Sequence, residues 1–90
     1  MRTKSEDGKA PFHTRLALLR ADRGLSRREL AEVVGVHYQT IGYIERAEYC
    51  PNLDLVLRLA RFFEVPVEAL FSLEPFPPLS AAFARQAESA

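Results

Sequence analysis

The 90-residue chain contains one cysteine, one methionine, four glycines and no tryptophan. Several classes of fold and function close on such scarcities. Cys50 alone cannot make an internal disulfide, and His13 and His37 stand at no metal-ligand spacing from it, so neither a staple nor a zinc is expected to hold the fold. No run approaches the ~18 consecutive apolar residues of a membrane span, and the N-terminal MRTKSEDGKAPF lacks the apolar core of a signal peptide. A cytoplasmic protein without a membrane partner is the expectation. Glycine-rich phosphate loops, paired carboxylates and a Ser-His-Asp arrangement are missing too. A chain this short buries only roughly 60–65% of its unfolded surface, which leaves few side chains to line a catalytic cavity. We therefore expect one small domain, no enzymatic activity, no metal and no cofactor.

Charge of one sign is also missing, because 12 Lys and Arg meet 12 Asp and Glu. The balance is uneven along the chain. Residues 1–12 sum to +1 and residues 13–47, with Arg15, Arg20, Arg23, Arg27, Arg28 and Arg46, sum to +2; residues 48–71 and 72–90 return −2 and −1. An arginine-rich first half permits phosphate binding without requiring it.

Helical periodicity fills most of what remains. Residues 1–11 read as a flexible N-terminal segment. Phe12, Leu16 and Leu19 then fall at i, i+4 and i+7, predicting a helix over 12–23 that Gly24 ends. Ser26 with Glu29 forms a capping box that opens a second helix, with Leu30, Ala31 and Val34 on one face and Gly35 beyond its end. Ile41 and Ile44 predict a third helix over 38–47. Gly42 lies inside it at a cost of about 1 kcal/mol relative to alanine, so either something approaches the backbone there or the helix tolerates the loss. Asn52 caps a fourth helix whose apolar face reads as Leu53, Val56, Leu57, Ala60 and Phe63. After Pro66, VEALF gives a short fifth helix, with Val67, Leu70 and Phe71 closing the core. No segment alternates with strand period and no repeat occurs, so the class is all-α, with the domain spanning 12–73. The Pro-containing tail over 74–90 carries Leu79, Ala82, Phe83 and Ala87 at a weak helical spacing. Disorder, folding back and dimerisation are its three options.

Only Gly35, Val36 and His37 separate the second and third helices, the local description of a helix-turn-helix, in which the first helix braces the second for entry into a DNA major groove. Ala31 is small where the two cross, while Val36, Ile41 and Ile44 anchor the second from below. His37, Tyr38, Gln39, Thr40 and Tyr43 are left to face outward. Gln can pair bidentately with the N6 and N7 edge of adenine, and Tyr and Thr can bond phosphate or touch a thymine methyl. A plain helical hairpin with a solvated face satisfies the same spacing.

The stretch LRADRGLSRRELAEVVGVHYQTIGYIERAEYCPNLDLVLRLARFFEVPVEALF resembles the Xre/Cro/C1-type helix-turn-helix domain of phage repressors and small bacterial regulators. The likeness runs from about Phe12 to Phe71 and includes Arg20, the GLS turn, Gly35, the QTI run, Ile44-Glu45 and Pro51. It implies a five-helix, lambda-repressor-like domain and a transcriptional regulator, a dimeric repressor on a short palindrome of double-stranded DNA. On the matching positions, Tyr38, Gln39 and Tyr43 would read bases. Ser26, Arg27, His37, Thr40 and Arg46 would meet the DNA backbone, and Arg20 with Glu45 would form a structural ion pair. Ala47 and Glu64 stand where the family usually has Gly, His37 where it has a Ser or Thr cap, and Glu48 where it often has Lys. Neutral net charge and the tail residues Phe76, Leu79 and Phe83 favour the rival reading, a protein-interaction module such as an antitoxin or partner-dependent regulator.

Overall fold

Thr14 decides where the first helix begins. In the computed structural model, which describes residues 11–77, its hydroxyl accepts from the Leu16 backbone N–H at 3.1 Å and donates to the Leu70 carbonyl at 3.0 Å. His13 and Thr14 are thereby held extended. His13–Thr14 (β1) pairs antiparallel with Phe71–Ser72 (β2), in the register His13 to Ser72 and Thr14 to Phe71. The first helix, α1, is Leu16–Asp22 rather than 12–23, and Phe71 belongs to a strand rather than to the fifth helix. The purely all-α expectation is corrected to a helical domain with a two-stranded ribbon. Phe12 satisfied the helical spacing for another reason: it is buried from a bend just before β1, its ring edge-on to Phe71 at 5.8 Å.

The later helices start where their caps place them. Helix α2, Arg27–Val34, opens on the reciprocal Ser26–Glu29 box and ends at Gly35, whose φ of 77° only glycine adopts freely. Helix α3, Tyr38–Glu45, is two residues shorter than its periodicity suggests and is capped by His37 Nδ1, which accepts from the Gln39 N–H at 3.2 Å. Helix α4, Leu53–Phe63, is capped by Asn52, and α5, Val67–Leu70, follows Pro66.

Two corners close without the usual glycine. Ala47 (φ 56°) and Glu64 (φ 58°) both occupy the left-handed region, at a cost of roughly 1–2 kcal/mol each for an L residue. Local hydrogen bonds hold them there: Glu48 N–H to the Tyr43 carbonyl at 2.8 Å, and Val65 N–H to the Ala60 carbonyl at 3.1 Å.

The core gathers Leu16, Leu30, Ala31, Val34, Ile41, Ile44, Leu55, Leu59, Ala60, Phe63 and Leu70. Burying each of its large aliphatic side chains contributes about 1.5–3 kcal/mol. The inward face of α4 is Leu55, Leu59, Ala60 and Phe63, which corrects the expected stripe: Leu53 and Leu57 are 70% and 51% exposed. Leucines at 53, 55, 57 and 59 lie two residues apart, on nearly opposite sides of a helix, so spacing alone does not choose between the two pairs.

Candidate nucleic-acid interface

Helix α3 is pinned from its inner side. Ile41 and Ile44 are fully buried, and the Glu45 side chain keeps only 2% of its exposure. Arg20 Nε donates to Glu45 Oε2 at 2.6 Å and its Nη2 to Oε1 at 3.3 Å, while its Nη1 reaches the Leu25 carbonyl at 2.8 Å. Arg27 Nε donates to Glu45 Oε1 at 2.9 Å. One carboxylate thus ties α1 and the start of α2 to the end of α3, and the ion pair expected between Arg20 and Glu45 is a triad that includes Arg27.

The outer side of α3 is open. Gln39, Gly42, Tyr43 and Arg46 line a shallow groove of about 180 Å³ together with Tyr38 and, from α2, Arg27. Gln39 and Tyr43 stand one turn apart and both are exposed, and the Arg46 guanidinium lies 5.3 Å from the Tyr43 ring. Tyr38 is half-buried, its ring against the Arg28 guanidinium at 3.9 Å and the His37 imidazole at 4.7 Å. A wider depression beside it is lined by Arg28, Ala31, Glu32, Val36, His37 and Tyr38.

Five expected contact residues, Arg27, Tyr38, Gln39, Tyr43 and Arg46, therefore meet in one groove, whereas Ser26, His37 and Thr40 do not line it. Ser26 is engaged at both polar groups: its N–H donates to Glu29 Oε1 at 2.8 Å, and its hydroxyl accepts from the Glu29 N–H at 3.0 Å. That backbone bond from Ser26, and then its hydroxyl, hold the Glu29 carboxyl below the usual carboxylate range. Thr40 is half-buried.

Sequence reasoning missed one brace, left Gly42 open between two explanations, and knew Glu48 only as a departure from the family pattern. Arg28 braces Tyr38 across the two helices, a pairing invisible to a one-dimensional pattern. At Gly42, a Cβ would meet Arg46 Nη1 at 3.3 Å and the Arg27 guanidinium at 3.8 Å, so the ends of two arginines approach the helix backbone there. Glu48 accepts from Arg46 Nε at 3.3 Å.

The six arginines of residues 13–47 are mostly occupied. Arg15 bonds the Pro77 carbonyl and covers the Phe76 ring, and Arg23 bonds the Phe63 carbonyl. Segment charge overstates what is free to meet phosphate. Among the described residues, no group of three or more His, Cys, Asp or Glu converges on a metal-sized site, and no helix is long and apolar enough to cross a membrane.

Comparison with known proteins gives a consistent result. The helix-turn-helix family profile matches residues 16–70. The chain is 41% identical over 60 residues to an uncharacterised HTH-type transcriptional regulator of Archaeoglobus fulgidus, covering 67% of this chain and 86% of that protein. It is 34% identical over 61 residues to the cryptic phage CTXphi transcriptional repressor RstR of Vibrio cholerae, covering 68% of this chain and 55% of the repressor. A crystal structure of a transcriptional regulator from Listeria innocua matches with a TM-score of 0.58 at 24% identity, over 82% of this chain and 71% of that one, which is a likeness of fold.

Proposed function

The chain belongs to the Xre/Cro/C1-type helix-turn-helix transcriptional regulators, and from that premise we propose that it binds a specific double-stranded DNA operator as a homodimer and acts as a repressor. The observation that carries this reading is the division of α3. Ile41 and Ile44 fix the helix to the core, while Gln39 and Tyr43 stand exposed above a groove flanked by arginines. Such a helix can enter a major groove without disturbing its own support. Gln39 reads a base edge, with Tyr43 and Tyr38 beside it. Arg27, Arg46, His37, Thr40 and the α2 start at Ser26 meet the DNA backbone.

A two-fold dimer sets its recognition helices in successive major grooves, so the half-sites lie about one helical turn apart, roughly 10 bp. Leu53 and Leu57, exposed one turn apart on α4, supply an apolar strip for the second copy. The tail residues Leu79, Ala82, Phe83 and Ala87, the other dimerising segment suggested by sequence, lie outside the described residues. The same strip favours a second reading, in which a different protein docks there and regulation depends on that partner.

In vitro selection of bound fragments tests the first reading. A palindrome with half-sites one turn apart is the expected product. Absence of any enriched sequence, with low-salt binding indifferent to sequence, would sink it. Sedimentation of Leu57→Glu separates the two readings of the strip: a shift from dimer to monomer assigns it to a second copy, and an unchanged monomer to another partner.

A further inference from the structure

The groove over Gly42 supports a further step, which rests on the DNA-binding reading and deepens it. Two guanidinium groups converge on this one helical residue: Arg46 Nη1 lies 3.3 Å, and Arg27 Nε and Cζ 3.8 Å, from the point where its Cβ would be. Both side chains are 47% exposed. Each is held through Nε, Arg27 by Glu45 and Arg46 by Glu48, and among the described residues no hydrogen bond engages the terminal nitrogens of either. Glu45 is shared with Arg20, which leaves the Arg27 charge only partly compensated. Two like charges side by side call for an anion between them. A phosphate oxygen sits roughly 2.7–2.9 Å from a guanidinium nitrogen, so groups this close can grip one phosphate together.

We propose that Arg27 and Arg46 form a two-pronged clip that seats a single phosphodiester of the DNA backbone over Gly42, and that Arg46 exchanges Glu48 for that phosphate on binding. Gly42 provides the seat, since a side chain there occupies the space where the prongs meet. Glu48 is the internal anion that holds Arg46 in place until DNA arrives, and it opposes binding by competing for the same guanidinium.

The test uses the full chain and an operator duplex recovered by selection, with thermal unfolding measured in parallel. Gly42→Ala raises Tm, because alanine favours the helix, yet weakens operator binding by about tenfold, the loss expected for a displaced charged hydrogen bond. A purely structural glycine cannot give that opposed pair of changes. Glu48→Gln tightens binding severalfold. Arg27→Gln and Arg46→Gln each weaken it by about tenfold, but the double variant is scarcely weaker than either. Its salt slope falls by about one unit, the value for one phosphate, and not by two.

Specific wild-type binding combined with an unimpaired Gly42→Ala variant, or with arginine losses that multiply, overturns the clip while leaving the DNA-binding reading intact. Wild-type binding that is indifferent to sequence removes that reading and the clip with it. A Gly42 amide resonance that saturates with inorganic phosphate at micromolar concentration overturns the assignment to the DNA backbone in favour of the free anion.

Discussion

The two sides of α3 use eight residues for opposite purposes. Inward, Ile41 and Ile44 are fully buried and the Glu45 carboxylate is enclosed by two arginines. Outward, Gln39 and Tyr43 leave their polar atoms to solvent. Interactions on the inner side are complete before any ligand arrives, so their loss appears in stability. The outer side is incomplete by construction, and its loss should appear in binding alone. A mutation that moved both quantities equally would erase this division.

Glu45→Ala is the severest challenge to the inner side. It strands Arg20, which is largely buried, and should destabilise the domain by about 3 kcal/mol in urea unfolding. Arg20→Ala should cost less, since Glu45 keeps its bond to Arg27, and the double variant should cost less than the two losses combined. Additive losses would mean that the two side chains do not depend on each other.

Gln39→Ala addresses the outer side. Specific affinity should fall by about 1–3 kcal/mol and preference should relax at one base pair, with Tm unchanged. If the specificity profile is unaltered, base reading passes to Tyr38 or Tyr43. Ser26→Ala lies between the two faces, because it removes the α2 cap and should cost about 1 kcal/mol of stability. An affinity loss beyond that expected from unfolding would give Ser26 a contact of its own.

Smaller effects sharpen the contrast from outside α3. Glu64→Gly should stabilise the domain by roughly 0.5–1 kcal/mol, the relief of left-handed strain less the entropy a glycine adds to the unfolded chain. Operator affinity should not change. Glu29 gives the gentlest test. Its carboxyl is more acidic folded than unfolded, so the stability it confers is complete above the ordinary carboxylate range and is lost as pH falls through the folded value. Wild type and Glu29→Gln should therefore draw together in Tm on acidification, and a constant gap would show that the capping box does not titrate.

What the sequence disclosed and what it hid follow from distance along the chain. Caps act within three residues, so Ser26 and Asn52 placed the starts of α2 and α4 correctly. The family likeness anticipated the Arg20–Glu45 pair, 25 residues apart, and flagged both corners that turned out left-handed, Ala47 and Glu64. Periodicity failed where two answers had the same period, as with the alternating leucines of α4. It failed again where an element was too short to have a period, as in the two-residue strands. In the groove, Gln39 and Tyr43 were legible from one helix. The convergence of Arg27 and Arg46 on Gly42 was not, because it depends on how α2 lies across α3.

The β1–β2 ribbon has a mechanical meaning. His13 and Ser72, the outer residues of the two strands, are partners, so the described domain is entered and left at a single point, like a loop drawn closed by a clasp. A load applied through the flanking segments meets the ladder end-on and parts its bonds one after another, without shearing them together. The Arg15 contacts to Phe76 and Pro77 give way first and the clasp next, and the helices feel tension only afterwards. By the same closure, a circularly permuted chain joined across His13 and Ser72 and cut elsewhere could keep the domain's shape, with new ends emerging wherever the cut is made.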